Sequence, residues 1–198
     1  MRWDSLFDDL ESQLEHELNA EDVDLRAEEH RLQLGRLSLR DRLMAMAADA
    51  TDPPVIGMEM TTGEMLHVVP RTFGRDWFAA DLLTPGGARA AAIVALDAVT
   101  GIVMPRGAAT RGIPAKEWAD APRVTDRIGL PFALRDLCRR RSYVRLHSPM
   151  GIHGGTIDRV GRDHLDLAVH EAGTARRERE VSHLRIVSFT AIAYVTMP

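Results

Sequence analysis

The spacing of apolar residues changes character along this chain. Trp3, Leu6, Phe7, Leu10, Leu14 and Leu18 recur at intervals of three and four. That is the period of a helix, so these side chains share one face. Leu25, Leu32 and Leu39 continue at sevens. Asp4, Asp8, Asp9 and Glu11 crowd the first turns, where the helix dipole favours negative charge. The pattern predicts a helix over residues 3–34, with a possible interruption from Asn19 to Asp24 and an end at Gly35. An apolar stripe on an acidic helix needs cover, from the rest of the chain or from a second chain in a coiled coil.

A second helix is expected over residues 38–49. Ser38 stands at its N-cap and Asp41 in the capping-box position, and Asp52-Pro53-Pro54 stops it. The period then drops to that of strands. Val55–Met60, Glu64–Arg71, Trp77–Leu83, Ala88–Val94 and Val99–Met104 read as five short strands, separated by Thr62-Gly63, Gly74 and Thr84-Pro85-Gly86-Gly87, with a one-turn segment at Ala95–Ala98. Residues 106–124 form a Gly- and Pro-containing linker. A helix over 131–141 follows, and five more strands are expected: Tyr143–His147, Ile152–Arg159, His164–His170, a long fourth strand beginning at the charged stretch from Arg176 to Glu180 as a solvated hairpin, and Ile192–Met197.

The two strand-rich stretches are copies of one pattern. Leu39-Arg40-Asp41 matches Leu134-Arg135-Asp136, and Thr62-Gly63 matches Met150-Gly151. Phe73-Gly74-Arg75-Asp76 matches Val160-Gly161-Arg162-Asp163, and the run from Val94 to Pro105 matches that from Val187 to Pro198. The period is too long for a solenoid and fits two copies of one small domain. The expected organisation is an N-terminal acidic amphipathic helix (1–37), a helix with a five-stranded barrel (38–105), a basic linker (106–124) and a second helix with a second barrel (125–198). The fold class is α+β.

Charge is distributed unevenly over this frame. The net charge is −4, yet residues 1–50 hold 13 acidic and 6 basic side chains, whereas residues 101–150 hold 4 and 10. An acidic arm therefore precedes a basic middle, which suits a nucleic-acid contact, or a charge match within or between chains. Aromatic residues are only 5% of the chain, which argues against a rich base-stacking surface. The single cysteine, Cys138, excludes an intrachain disulfide and a Cys-rich metal site. No apolar run approaches a membrane span and the N-terminus is not a secretory signal, so a cytoplasmic protein without a membrane partner is expected.

A helix, then five strands with a short helical turn before the last, resembles the Sm-like fold of the Hfq and LSm proteins, which shares its turns with SH3-like barrels. The closest stretch is Val144–Val169, and the ending from Thr190 to Val195 resembles the final Hfq strand. The resemblance implies two tandem Sm-like five-stranded barrels. It also subtracts the family's RNA pocket. Where Hfq has Lys-His before the last strand, this chain has Phe189-Thr190 and Leu96-Asp97, and the Asn and Arg-Gly of the family motifs are missing. Separately, Met1-Arg2-Trp3-Asp4 with Leu6-Phe7 and Asp9-Leu10-Glu11 resembles an actinobacterial protein family, and implies no activity.

Candidate chemistry is sparse. His147, His153, His164, His170 and His183 lie in the second repeat, but their strand and turn positions scatter them over both faces, so no metal is expected. The repeated Gly-Arg-Asp reads as a turn whose carboxylate bonds backbone. No nucleophile elbow, dinucleotide fingerprint or phosphate loop occurs. Two functions remain in view. One is a non-enzymatic, cofactor-free scaffold whose N-terminal stripe of Trp3, Leu6, Phe7, Leu10 and Leu14 binds another protein or a second copy, as a dimer or a ring. The other is an RNA- or DNA-binding regulator using Arg135, Arg139, Arg140, Arg141 and Arg145, with Arg106 and Arg111 in the linker.

Overall fold

A computed structural model of the protein describes residues 25, 27, 28, 31, 32, 34–48, 54–84, 86–104, 124–174 and 176–197. The chain divides into two compact units, residues 1–38 and residues 39–198. In the first unit the described residues between 25 and 36 are helical (α1), and Leu25 and Leu32 of the heptad series point outward, 62% and 56% exposed. The partner-binding stripe from Trp3 to Leu14 lies outside the described residues, as do Arg106 and Arg111 of the linker.

The second unit contains both repeats. It begins with α2 (Leu39–Ala48), followed by β1 (Ile56–Met60), β2 (Met65–Phe73), β3 (Trp77–Leu83), β4 (Arg89–Ala95), a one-turn helix (Leu96–Ala98) and β5 (Val99–Val103). The second copy runs α3 (Leu130–Arg139), β6 (Tyr143–Ser148), β7 (Gly151–Val160), β8 (His164–Val169), β9 (His183–Ser188), a one-turn helix (Phe189–Ala191) and β10 (Tyr194–Met197). Element for element, the repeat read from the sequence is present. One strand boundary differs by more than two residues: the stretch from Arg176 to Glu180 is not strand. Glu178–Glu180 is a single helical turn, and Arg176 is tied down by Asp158, at 3.0 and 2.5 Å to its two carboxylate oxygens.

The expected closed barrels are not formed. All ten strands make one antiparallel sheet in the order β5-β1-β2-β3-β4-β10-β6-β7-β8-β9. Each repeat thus has its fifth strand beside its first, and its fourth at the far side. A barrel would close by pairing fourth with fifth. Instead β4 takes β10 from the other repeat, and a strand edge, once hydrogen-bonded, has no second row of groups to offer. The repeats are therefore halves of one sheet rather than separate domains.

The core follows from alternation along the strands. Ile56, Met58 and Met60 are buried in β1, and Met58 stands beside Leu66 and Ile102 in the ladder. In the second repeat Val144, Leu146, Ile157, Leu165 and Leu167 are at most 1% exposed. α3 covers them with Leu130, Ala133, Leu134 and Leu137, which recur at helical spacing, and leaves Phe132 and Arg135 outside. Among the described residues no helix is long and apolar enough to cross a membrane.

Candidate functional site

The place where the repeats meet is built from both. β4 and β10 pair through Val94–Tyr194, Ile93–Val195, Ala92–Thr196 and Ala91–Met197. Partners across a ladder share a face. Val195 stands on the face of Leu146 in the second repeat's core, whereas Val94 shares its face with Phe78 in the first. Both faces of this seam belong to one continuous core that both repeats share, and Ala92, Ile93, Val94, Tyr194, Val195 and Thr196 are all buried. Beside the seam a groove of about 410 Å³ opens between β3, β4 and α3, lined by residues including Ala79, Ile93, Ile128 and Phe132.

A polar cluster crosses the seam. The Tyr194 hydroxyl donates to the Glu64 carboxylate at 2.7 Å, and its ring stacks on His147 with centroids 3.9 Å apart. His147 Nε2 lies 3.2 Å from Thr196 Oγ1, while its Nδ1 has no partner among the described residues. Burial pushes the Tyr194 phenol well above its ordinary range, and the bond to Glu64 adds to this. Burial also lowers the basicity of His147, with Glu64 opposing and Arg145 assisting. Neutral forms are thus favoured at both rings, and the Tyr194–Glu64 bond joins the two repeats.

A second fastening lies at the Gly-Arg-Asp turn after β2. Gly74 N–H donates to Trp77 O at 2.8 Å and Leu96 N–H to Asp76 O at 3.0 Å. The residues leading into α3 sit on this turn. Ile128 O accepts from the Arg75 amide and from Trp77 Nε1, each at 2.9 Å, and the Leu130 amide donates to Asp76 Oδ1 at 2.7 Å. Gly129, at the N-cap, has no side chain to satisfy the first helical amides, so a carboxylate from the other repeat takes one. Arg40 bonds both Gly74 O, at 2.6 Å, and the Asp126 carboxylate in the same lead-in. A Cβ on Gly74 would lie 2.2 Å from Trp77 Nε1 and 2.7 Å from Ile128 O, which is why glycine stands there.

The two ends of the sheet are unlike the seam. β9 exposes Leu184 (65%) and Ile186 (74%), and β5 exposes Val103 (51%). Both strands pair on one side only among the described residues. Near β9 the imidazole of His153 has a buried Nε2 without a partner among the described residues, and burial, Arg185 and His183 together depress its basicity.

Three of the arginines singled out from sequence, Arg139, Arg140 and Arg141, lie beside acids. Arg139 and Arg140 share Asp136, each at 2.6 Å, which holds that carboxyl below its usual range, chiefly through the bond from Arg139. Arg141 reaches Asp158 at 3.0 Å from a left-handed backbone, φ 53°. Arg135 bonds Gly161 O at 3.4 Å, and Arg145 on β6 is exposed without an ion pair among the described residues. Tyr143 packs edge-on against His170, 5.3 Å between centroids. No group of three or more His, Cys, Asp or Glu side chains converges as metal ligands would among the described residues. The sequence reading missed the edges, the polar cluster and the lead-in contact, although the exposed pair Leu184 and Ile186 lies in plain view in β9. No protein-family model matches this chain, and no curated protein and no solved structure matches it either.

Proposed function

We propose that this protein is a non-enzymatic scaffold of two Sm-like repeats that binds through the open edges of its sheet, in the first place to further copies of itself. One observation carries the reading. By the repeat, Ile93 corresponds to Ile186, and the first is 8% exposed under β10 while the second is 74% exposed at the end of the sheet. Long apolar edges are a hazard that proteins ordinarily blunt or cover. Supporting the Sm-like assignment is the shared succession of a helix and five strands, with the same order inside each half. Exposed Leu25 and Leu32 on α1 supply a second surface in keeping with a docking helix. The setting is cytoplasmic, in keeping with Cys138 as a thiol donating to Asp158 O at 3.4 Å.

Light scattering of the full chain across concentration tests this. The wild type is expected to assemble, and Ile186→Lys to shift it toward the monomer. A wild type that stays monomeric up to high concentration, or a variant indistinguishable from it, overturns the proposal.

A second reading rests on Arg139, Arg140 and Arg141, whose side chains stay 62–79% exposed despite their partners. As an RNA- or DNA-binding surface they would give retention that weakens steeply with salt. Absence of retention at low salt disposes of it.

A further inference from the structure

The groove beside the seam is deep because its floor is largely alanine. Ala79 of β3 stands across from Ile93 of β4, and Asp81 across from Ala91, so these four side chains share one face. By the repeat, Ala79 and Ala91 correspond to Asp166 and Leu184, whose side chains extend where these two stop at Cβ. Phe73 and Trp77 wall the groove from the first repeat, and Phe132 and Leu137 of α3 from the second. The space of about 410 Å³ lies within the range of small-molecule sites. Phe132 lines it and is nonetheless 60% exposed, so the groove opens to solvent along an aromatic wall.

The floor carries charge at Asp81. Arg71 donates to Asp81 Oδ2 through Nε at 2.9 Å and through Nη2 at 2.7 Å, and Arg89 Nη1 approaches the same oxygen at 3.7 Å. One carboxylate thus faces two guanidinium groups, which leaves one positive charge over. The Arg71 and Arg89 side chains are 45% and 56% exposed, and neither pairs with another acid among the described residues. The other acid that lines the groove, Asp136, is held by Arg139 and Arg140. From Trp77 to Asp81 the strand advances about 14 Å, the length of an extended chain of about twelve atoms at roughly 1.2 Å per bond.

We infer that this groove binds a small amphiphilic carboxylate, an unbranched apolar chain of about ten carbons lying over Ala79 and Ala91 with its carboxylate on Arg71 and Arg89. The chain leaves water against the alanines, Ile93 and Phe132, which supplies affinity. The guanidinium pair fixes which end of the ligand lies where, and selects an acid over an alcohol of the same length. A cationic head would meet Arg71 and Arg89 and is repelled. The inference does not depend on the scaffold reading, since the groove lies within one copy, at β3 and β4 in the middle of the sheet rather than at its ends.

Calorimetric titration of the full chain with sodium decanoate tests it. Saturable one-to-one binding is expected, with decanol and decyltrimethylammonium each weaker by roughly tenfold or more. Arg71→Gln is expected to weaken decanoate roughly tenfold, the size of one lost bond to a charged group, and Asp81→Asn to tighten it, because the competing carboxylate is gone. Ala91→Leu fills the floor with the side chain that the other repeat carries at Leu184, and is expected to abolish binding, whereas Ala91→Ser keeps the space and most of the affinity. Circular dichroism checks that each variant folds, and should Ala91→Leu not fold, the opposed effects of Arg71→Gln and Asp81→Asn still decide. No saturable binding overturns the inference. Decanol binding as tightly as decanoate, or the two charge variants moving affinity in the same direction, overturns the carboxylate site. Full affinity in a folded Ala91→Leu overturns the groove as its place.

Discussion

Ile93 in β4 and Ile186 in β9 are the same residue at the same place in two copies of one pattern, and their surroundings differ almost completely. The first has a strand on either side, β3 and β10, and is buried; the second has β8 alone among the described residues and is 74% exposed. The same contrast holds between Asp76, which takes the amide of Leu130, and Asp163, which takes the ring of His164. Both differences have one origin. A tandem pair of repeats contains one internal seam, so among the described residues no strand of another repeat pairs with β9 and no backbone amide of another repeat reaches the Asp163 carboxylate. The local conformation of the turn is the same in both copies, so it belongs to the repeat itself rather than to its partner.

The comparison breaks most visibly at the isoleucines. Ile93→Ala is expected to destabilise the chain by about 2–4 kcal/mol, since it opens a void under β10, and Ile186→Ala by less than about 0.5 kcal/mol in the isolated monomer. Chemical denaturation of both variants, at concentrations where association is absent, checks this. Equal losses would mean that the two edges are equally covered.

The aspartates give a smaller contrast. Asp76→Ala removes the acceptor of the first amide of α3 and should cost about 1–2 kcal/mol, whereas Asp163→Ala should cost less than about 0.5 kcal/mol. Thermal melts of the two variants side by side decide it. Tyr194→Phe sharpens the picture from the other side of the seam. It deletes one bond to Glu64, whose carboxylate is exposed to solvent, and a loss of about 1 kcal/mol is expected.

The smallest effect is one of pH. Burial lowers the basicity of His147 in the folded chain below its ordinary value of 6.5. The unfolded chain therefore binds a proton more readily, and stability from this residue is full above about that pH and falls as the pH drops below it. Denaturation midpoints at pH 8, 6 and 5 should decline accordingly, and His147→Gln should flatten that part of the decline. A His147 variant with the wild-type profile would place the titration elsewhere.

Much of this architecture was legible in the residues. Trp77–Leu83 was predicted to its exact bounds, and the other strands except β9 within two residues, because alternation and the glycine turns that punctuate it are local signals. The repeat was legible because Gly-Arg-Asp and the closing strand recur in order. The fourth strand of the second repeat was placed too early, because the charges from Arg176 to Glu180 resemble a solvated strand until Asp158, far off in sequence, is seen to hold Arg176. Of the candidate site, the arginines were visible but their acids were only partly so. Asp136 is a helical neighbour of Arg139 and Arg140, whereas Asp158 meets Arg141 only through the fold.

By itself, then, the sequence determined the elements, their order and their duplication, since each depends on residues close together along the chain. It did not determine which strand β4 would pair with. Closing a barrel on β5 and joining β10 satisfy the same row of backbone groups, and the choice turns on residues about a hundred positions apart. Only the tertiary structure decided that the repeats form one open sheet, and with it which isoleucine and which aspartate stand exposed among the described residues.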